Sequence, residues 1–180
     1  DNANSGYTTR AYGAYDGGLT GASNTLADVA AYYYKTDLRT SGPLAVNNVP
    51  TSSRDTNPAQ HMVTFTLGLG LEGFMDYQSD YETAATGDFA KIKAGTNNAC
   101  SWTTGTCNWP VPSANEPGTL DDLWHAAVNG RGRYFSASDP NSLTQGLQSA
   151  LAALNIQTAA ASASSRTRRA IAKRMSFSFQ

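Results

Sequence analysis

The sequence predicts an α/β domain with a mostly parallel, doubly wound sheet that is incomplete. Three observations carry this. His61–Gly70 reads HMVTFTLGLG. Val63, Phe65, Leu67 and Leu69 share one face, and the other is apolar apart from its threonines, as in a strand buried on both sides. Leu120–Leu154 reads in order as helix, glycine turn, short strand, second turn and second helix. The short turns make the route from one strand through a helix to the next a crossover, which implies a parallel pair with a right-handed connection. Two strands are few for a doubly wound sheet, so missing elements are expected.

At 180 residues the chain suits one domain or part of a larger one. A net charge of -1 gives no electrostatic argument for nucleic acid as a partner. Charged residues make up 15% against a usual quarter, and the polar uncharged surface this leaves is common in secreted and cell-surface proteins. The chain opens at Asp1 without a Met, the expectation for a processed product or a fragment, and no signal peptide is visible. No apolar run approaches the roughly 20 residues needed to span a bilayer.

Residues 1–22 mix Gly, Asn, Ser and Tyr and read as a loop held down by aromatic packing. The opening DNANSG is no calcium loop, because Ala3 and Tyr12 stand where ligands are needed. Ser23 or Asn24 then caps a helix that runs to about Lys35. Leu26, Val29, Ala30 and Tyr33 form its expected buried stripe. Lys35 and Arg39 close it, as the helix dipole prefers. Residues 40–60, with Gly42, Pro43, Pro50 and Pro58, form a first long loop insertion.

After the strand at 61–70, residues 71–119 form a second insertion. A short helix is expected from about Asp76 to Thr83, and another turn over Asp88–Lys93. Next comes CSWTTGTC, with Cys100 and Cys107 the two cysteines of the chain. Six intervening residues allow the sulfurs to meet, so a disulfide in an oxidising compartment is favoured over two free thiols. Closing so small a ring contributes about 2–3 kcal/mol. Trp102 and Trp109 flank Cys107; they suit a mini-core over the disulfide, with carbohydrate or protein contact as the sharper alternative.

Thr119 is expected to cap the helix from Leu120, with Asp121 and Asp122 in its first turn, where the dipole favours anions. Leu120, Leu123, Trp124 and Ala127 form its stripe, with Val128 beside it, and Asn129-Gly130 ends it. Arg133–Ala137 is the second strand. Asp139 caps the last helix with Pro140 at its first position. Leu143, Leu147, Ala150, Leu151 and Leu154 follow in amphipathic spacing. Residues 1–157 thus form the domain, and 158–180 a flexible linker and basic tail.

Catalysis finds little support. His61 and His125 are the available bases; His61 reads as a loop or capping residue, and His125 as a partly exposed helix residue. No GxSxG, HExxH or phosphate-binding loop occurs. Adjacent Asp121 and Asp122 point different ways on a helix and suit a cap better than a glycosidase pair. No catalytic residue and no metal ligand is assigned, and no enzyme activity is expected.

Three segments resemble the PilC/PilY family of type IV pilus biogenesis factors and tip adhesins: Asn24–Arg39 (NTLADVAAYYYKTDLR), Gln60–Gly70 (QHMVTFTLGLG) and Asp121–Pro140 (DDLWHAAVNGRGRYFSASDP). The resemblance covers roughly residues 20–160. It implies the second half of a von Willebrand factor A-like domain, with 63–69 a late core strand and 133–137 the last. That fold commonly carries a metal-ion-dependent adhesion site, but its Asp-x-Ser-x-Ser motif and completing Thr and Asp are absent from this chain. A divalent cation, Mg or Ca, is implied only if such motifs lie upstream. The resemblance further implies an extracellular location at a pilus tip or outer-membrane surface, minor pilins or tip components as partners, and contact with a host surface or matrix protein.

Overall fold

The computed structural model describes residues 22, 24–137, 141 and 143–152. The loop expected over 1–22, apart from Ala22, the helix cap at Asp139 and Pro140, Leu154, the linker and the basic tail lie outside the described residues. The elements run α1 (Leu26–Lys35), β1 (Thr64–Leu69), α2 (Asp88–Ala94), α3 (Gly118–Asn129) and β2 (Arg131–Ala137). Helical backbone resumes at 141 and 143–152. Where a helix was expected near residues 76–83, the chain makes only turns.

β1 and β2 pair in parallel, with Thr66 opposite Tyr134, Leu67 opposite Phe135 and Leu69 opposite Ala137. Between Thr64 and Thr66 the register slips, β2 contributing one residue more. The expected crossover is therefore present, with the second insertion and α3 carrying the chain from β1 to β2. α3 lies across both strands on one face. The Thr66 hydroxyl donates to the Leu123 carbonyl at 2.6 Å, locking β1 to this helix. Gly68 is small for a steric reason: a Cβ there would collide with the Tyr134 hydroxyl.

α3 divides two unlike packings. On one side a core cluster joins Met75, Tyr81, Phe89, Ile92, Trp109, Trp124 and Tyr134 with both cysteines. Trp124 is its hub: its ring lies 4.9 Å from Tyr81 and 5.4 Å from Tyr134, the latter stacked at 15°. On the other side α1 packs against α3 through Ala27, Ala30 and Ala126, small residues that let two helix backbones approach.

That packing corrects the expected α1 stripe. Ala27, Ala30, Ala31 and Tyr34 face inward, while Leu26, Val29 and Tyr33 are 43%, 49% and 39% exposed. Only Ala30 belongs to both sets. The cap also moves, to Thr25, which forms a capping box with Asp28. β1 departs from expectation as well. Its residues are mostly half-buried, and Leu69 is 58% exposed, so it is not covered on both faces. Leu147 and Leu151 of the C-terminal helical stretch are 49% and 60% exposed.

α3 ends where expected, at Asn129 with Gly130 as its C-cap, but the conformation of the turn is not the usual glycine one. Gly130 has φ of -82°, and the left-handed conformation falls on Arg131 at +59°. Glycine is needed at 130 because the Thr64 side chain presses against it. The Arg131 guanidinium donates to the carbonyls of Val128 and Asn129, placing a cation at the negative end of α3.

Candidate contact surface

Each of the two insertions is held in place by polar contacts. In the first, His61 is buried with both ring nitrogens engaged: Nδ1 lies 2.7 Å from the Ala59 carbonyl and Nε2 2.8 Å from Asp55. The Tyr34 ring meets the His61 ring edge-on at 5.0 Å and carries the Arg131 guanidinium at 4.6 Å. Arg54 ties this loop to the second insertion, donating to Glu82 at 2.6 Å and to the Gly132 carbonyl at 3.3 Å.

In the second insertion Cys100 and Cys107 form a disulfide, their Cα atoms 5.5 Å apart. Both are buried, and an antiparallel bridge between Asn97 and Thr106 closes the loop beside them. The flanking tryptophans have different positions. Trp109 is 6% exposed and stacks on His125 at 4.4 Å with planes 9° apart. Trp102 is half-buried and donates its indole N–H to the Asn108 carbonyl at 2.7 Å. A shallow cleft of about 200 Å³ opens between Phe74, Trp102, Thr103, Asn108 and Val111, with Trp109 at its base. None of these side chains is charged, so the cleft offers aromatic faces, amides and hydroxyls, and no acid or base. Phe74 and Val111, 43% and 61% exposed, form its rim.

His125 is only 4% exposed, which corrects its expected partial exposure. The helix it sits on is enclosed on nearly every side. The Asp pair is corrected too. Neither residue caps its own helix, and Thr119 instead donates its hydroxyl to the Glu116 carbonyl. Asp122 accepts from the N–H groups of Leu26 and Ala27 at 2.7 and 3.2 Å, capping the start of α1 from a helix 95 residues away. Asp121 accepts from Phe74 and Met75 at 2.7 and 3.3 Å, holding the turn that enters the second insertion. Adjacent helical residues point about 100° apart, which lets one dipeptide serve two segments. Burial pushes the Asp121 carboxyl up to about 6, against the opposing pull of the Phe74 and Met75 N–H groups. Burial also raises Asp122, opposed by the N–H groups of Leu26 and Ala27.

Three side chains with a defined role in the structure carry no role in the sequence reading: Tyr77, Tyr81 and Arg133. The Tyr134 N–H donates to the Tyr81 hydroxyl at 3.1 Å, and Tyr77 meets the backbone of Ser136. Arg133 donates to the Ser79 carbonyl. The two tyrosines thereby meet outward backbone groups of β2. The spacing of Tyr77 and Tyr81, four apart, was the only available signal.

Among the described residues no group of three or more His, Cys, Asp or Glu could hold a metal ion, and no helix is long and apolar enough to cross a membrane. Comparison with known proteins gives one consistent answer. The chain is 36% identical over 146 residues to type IV pilus biogenesis factor PilY1 of Pseudomonas aeruginosa strain PAK, covering 72% of this chain and 11% of that protein. It is 37% identical over 138 residues to PilY1 of strain UCBPP-PA14, and 35% over 147 residues to PilY1 of strain PAO1. The chain thus spans about a ninth of the length of these relatives. No protein-family model and no solved structure matches it.

Proposed function

Because this chain belongs, as a segment, to the PilC/PilY family of type IV pilus biogenesis factors, we propose that it is a contact module of the pilus assembly machinery. The observation that carries this reading is 35–37% identity to PilY1 over about 70% of the chain. It works by protein contact at a pilus tip or outer surface, with minor pilins or tip components as partners and a host surface as a further ligand. The uncharged aromatic cleft beside the disulfide supports a recognition role, with Trp102, Phe74 and Val111 as its contacting side chains.

The same reading makes the module non-catalytic. In its support, both ring nitrogens of His61 are engaged within the loop, and the His125 ring is packed face to face on Trp109. It also takes the parallel pair and its crossover as the late strands of a von Willebrand factor A-like sheet. A divalent cation enters only if adhesion-site motifs precede this segment. A scaffold with no ligand of its own is the competing reading.

Pull-down of minor pilins, compared with binding to immobilised host matrix proteins, tests the proposal. Pilin capture that weakens in Trp102→Ala and in the Cys100→Ser/Cys107→Ser double variant supports cleft-mediated contact. Unchanged capture by both variants removes the disulfide loop from the mechanism. No capture of pilins or matrix proteins by the wild type leaves the scaffold.

A further inference from the structure

The cleft beside the disulfide has walls from two segments, and both are fixed before any ligand arrives. One is the cysteine loop. Its disulfide is backed by two backbone bonds, from the Asn98 N–H to the Gly105 carbonyl at 2.6 Å and from the Cys107 N–H to the Thr96 carbonyl at 2.8 Å. The other carries Phe74, whose N–H is held by the buried Asp121 carboxyl at 2.7 Å. Walls ordered in advance lower the entropy cost of binding.

The chemistry of these walls combines ring surface with neutral polar groups. Trp102 uses its indole N–H on the Asn108 carbonyl, so it offers a ligand ring surface and no hydrogen bond. The Thr103 hydroxyl donates to the Thr104 carbonyl at 3.4 Å, and its oxygen keeps the capacity to accept. The Asn108 amide is oriented by the Trp109 N–H, which donates to its Oδ1 at 2.9 Å. Among the described residues no charged side chain lines the cleft. Its volume of about 200 Å³ lies below that of pockets for drug-sized ligands and suits a single ring.

We propose that this cleft binds a neutral hexopyranose, presented as the end residue of a surface glycan. The inference rests on the reading of the cleft as a contact site and names its ligand class. A pyranose carries a face of C–H groups, weakly positive, that suits the negative face of an aromatic ring. Its rim of hydroxyls suits an amide and a hydroxyl. An apolar anchor from a partner protein, such as leucine or proline, matches the ring surface but offers the Asn108 amide and the Thr103 hydroxyl no bond. A phosphate, a sulfate or the carboxylate of an acidic sugar finds no cation there.

NMR titration of the 180-residue chain with methyl β-galactopyranoside, methyl β-glucopyranoside and methyl α-mannopyranoside tests the proposal. At least one should shift the Trp102 indole N–H signal with a Kd of about a millimolar, as a single small ring allows. Trp102→Ala should weaken binding about tenfold, read from the Thr103 and Asn108 amides, whereas Trp102→Phe keeps a ring and should retain most of it. The methyl glycoside of N-acetylneuraminic acid, an anionic sugar, should leave these signals unmoved. The wild-type shifts locate the site even where a variant does not fold. No shift with any neutral glycoside up to about 50 mM overturns the proposal, as do shifts confined to other parts of the chain or equal binding of the anionic sugar. If the sugars fail while Trp102→Ala still weakens pilin capture, the glycan inference falls and the protein-contact reading stands. Sugar binding without pilin capture upholds the glycan site and removes the pilin partner.

Discussion

The two sides of α3 are built from different materials, and the difference separates what this chain stabilises by itself from what it leaves unfinished. On the β2 side stand Trp109, Trp124, Tyr77, Tyr81 and Phe89, a disulfide and a strand edge met by tyrosine hydroxyls. On the β1 side a helix docks through alanines, its large apolar side chains are exposed, and among the described residues no strand pairs with the outer edge of β1. The large aromatics gather where an insertion can fold over them. Substitutions on the two sides should therefore differ by several kcal/mol.

The greatest effect is expected at Trp124, which is 2% exposed and touches five aromatic rings. Trp124→Ala should destabilise the chain by about 3–5 kcal/mol in urea unfolding. A loss under about 1 kcal/mol would mean that the aromatic cluster is not the core of this domain.

Next comes the pH profile. The Asp121 carboxyl is raised in the folded state to about 6, above the roughly 3.9 of an unfolded chain. A raised carboxyl contributes stability that is full below the unfolded value and is lost as pH rises toward 6. Between pH 4 and 6 this group should therefore lower stability by up to about 2 kcal/mol. Asp121→Asn should flatten that part of the profile, as read by urea midpoints across pH. An unchanged slope would assign the dependence to other groups.

Tyr81→Phe examines the closed edge with little change in packing. It leaves the buried Tyr134 N–H without its acceptor, at a cost of about 1–3 kcal/mol. Exchange at Tyr134 should rise with it. If only stability changes and this amide stays protected, the hydroxyl is not what closes β2.

The sequence made some of this legible and concealed the rest for identifiable reasons. The crossover was readable because glycine turns and an apolar strand are local signals. The α1 stripe was read inside out. Leu26, Val29 and Tyr33 do form a periodic apolar row, but periodicity reports a row and not what lies against it. Alanines score weakly as core, yet they are what two close helices require. Asp121 and Asp122 were seen as acids near a helix start, which they are. That each caps another segment depends on contacts 46 and 95 residues apart, beyond any local pattern. Of the tryptophan pair, the likelihood of surface contact could not be ranked by sequence, because burial of Trp109 follows from its stacking on His125.

The smallest expected effect is the most telling for the open side. Val29 is an apolar residue in the middle of a helix, and by its stripe position alone Val29→Ser would cost as much as a core truncation. In this chain it is 49% exposed, so Val29→Ser should change stability by no more than about 0.5 kcal/mol, the range of surface substitutions. Serine and valine have similar helix propensities, so the measurement isolates burial. A loss above about 1.5 kcal/mol would mean that Val29 is buried in solution and that the apolar row of α1 packs against another segment.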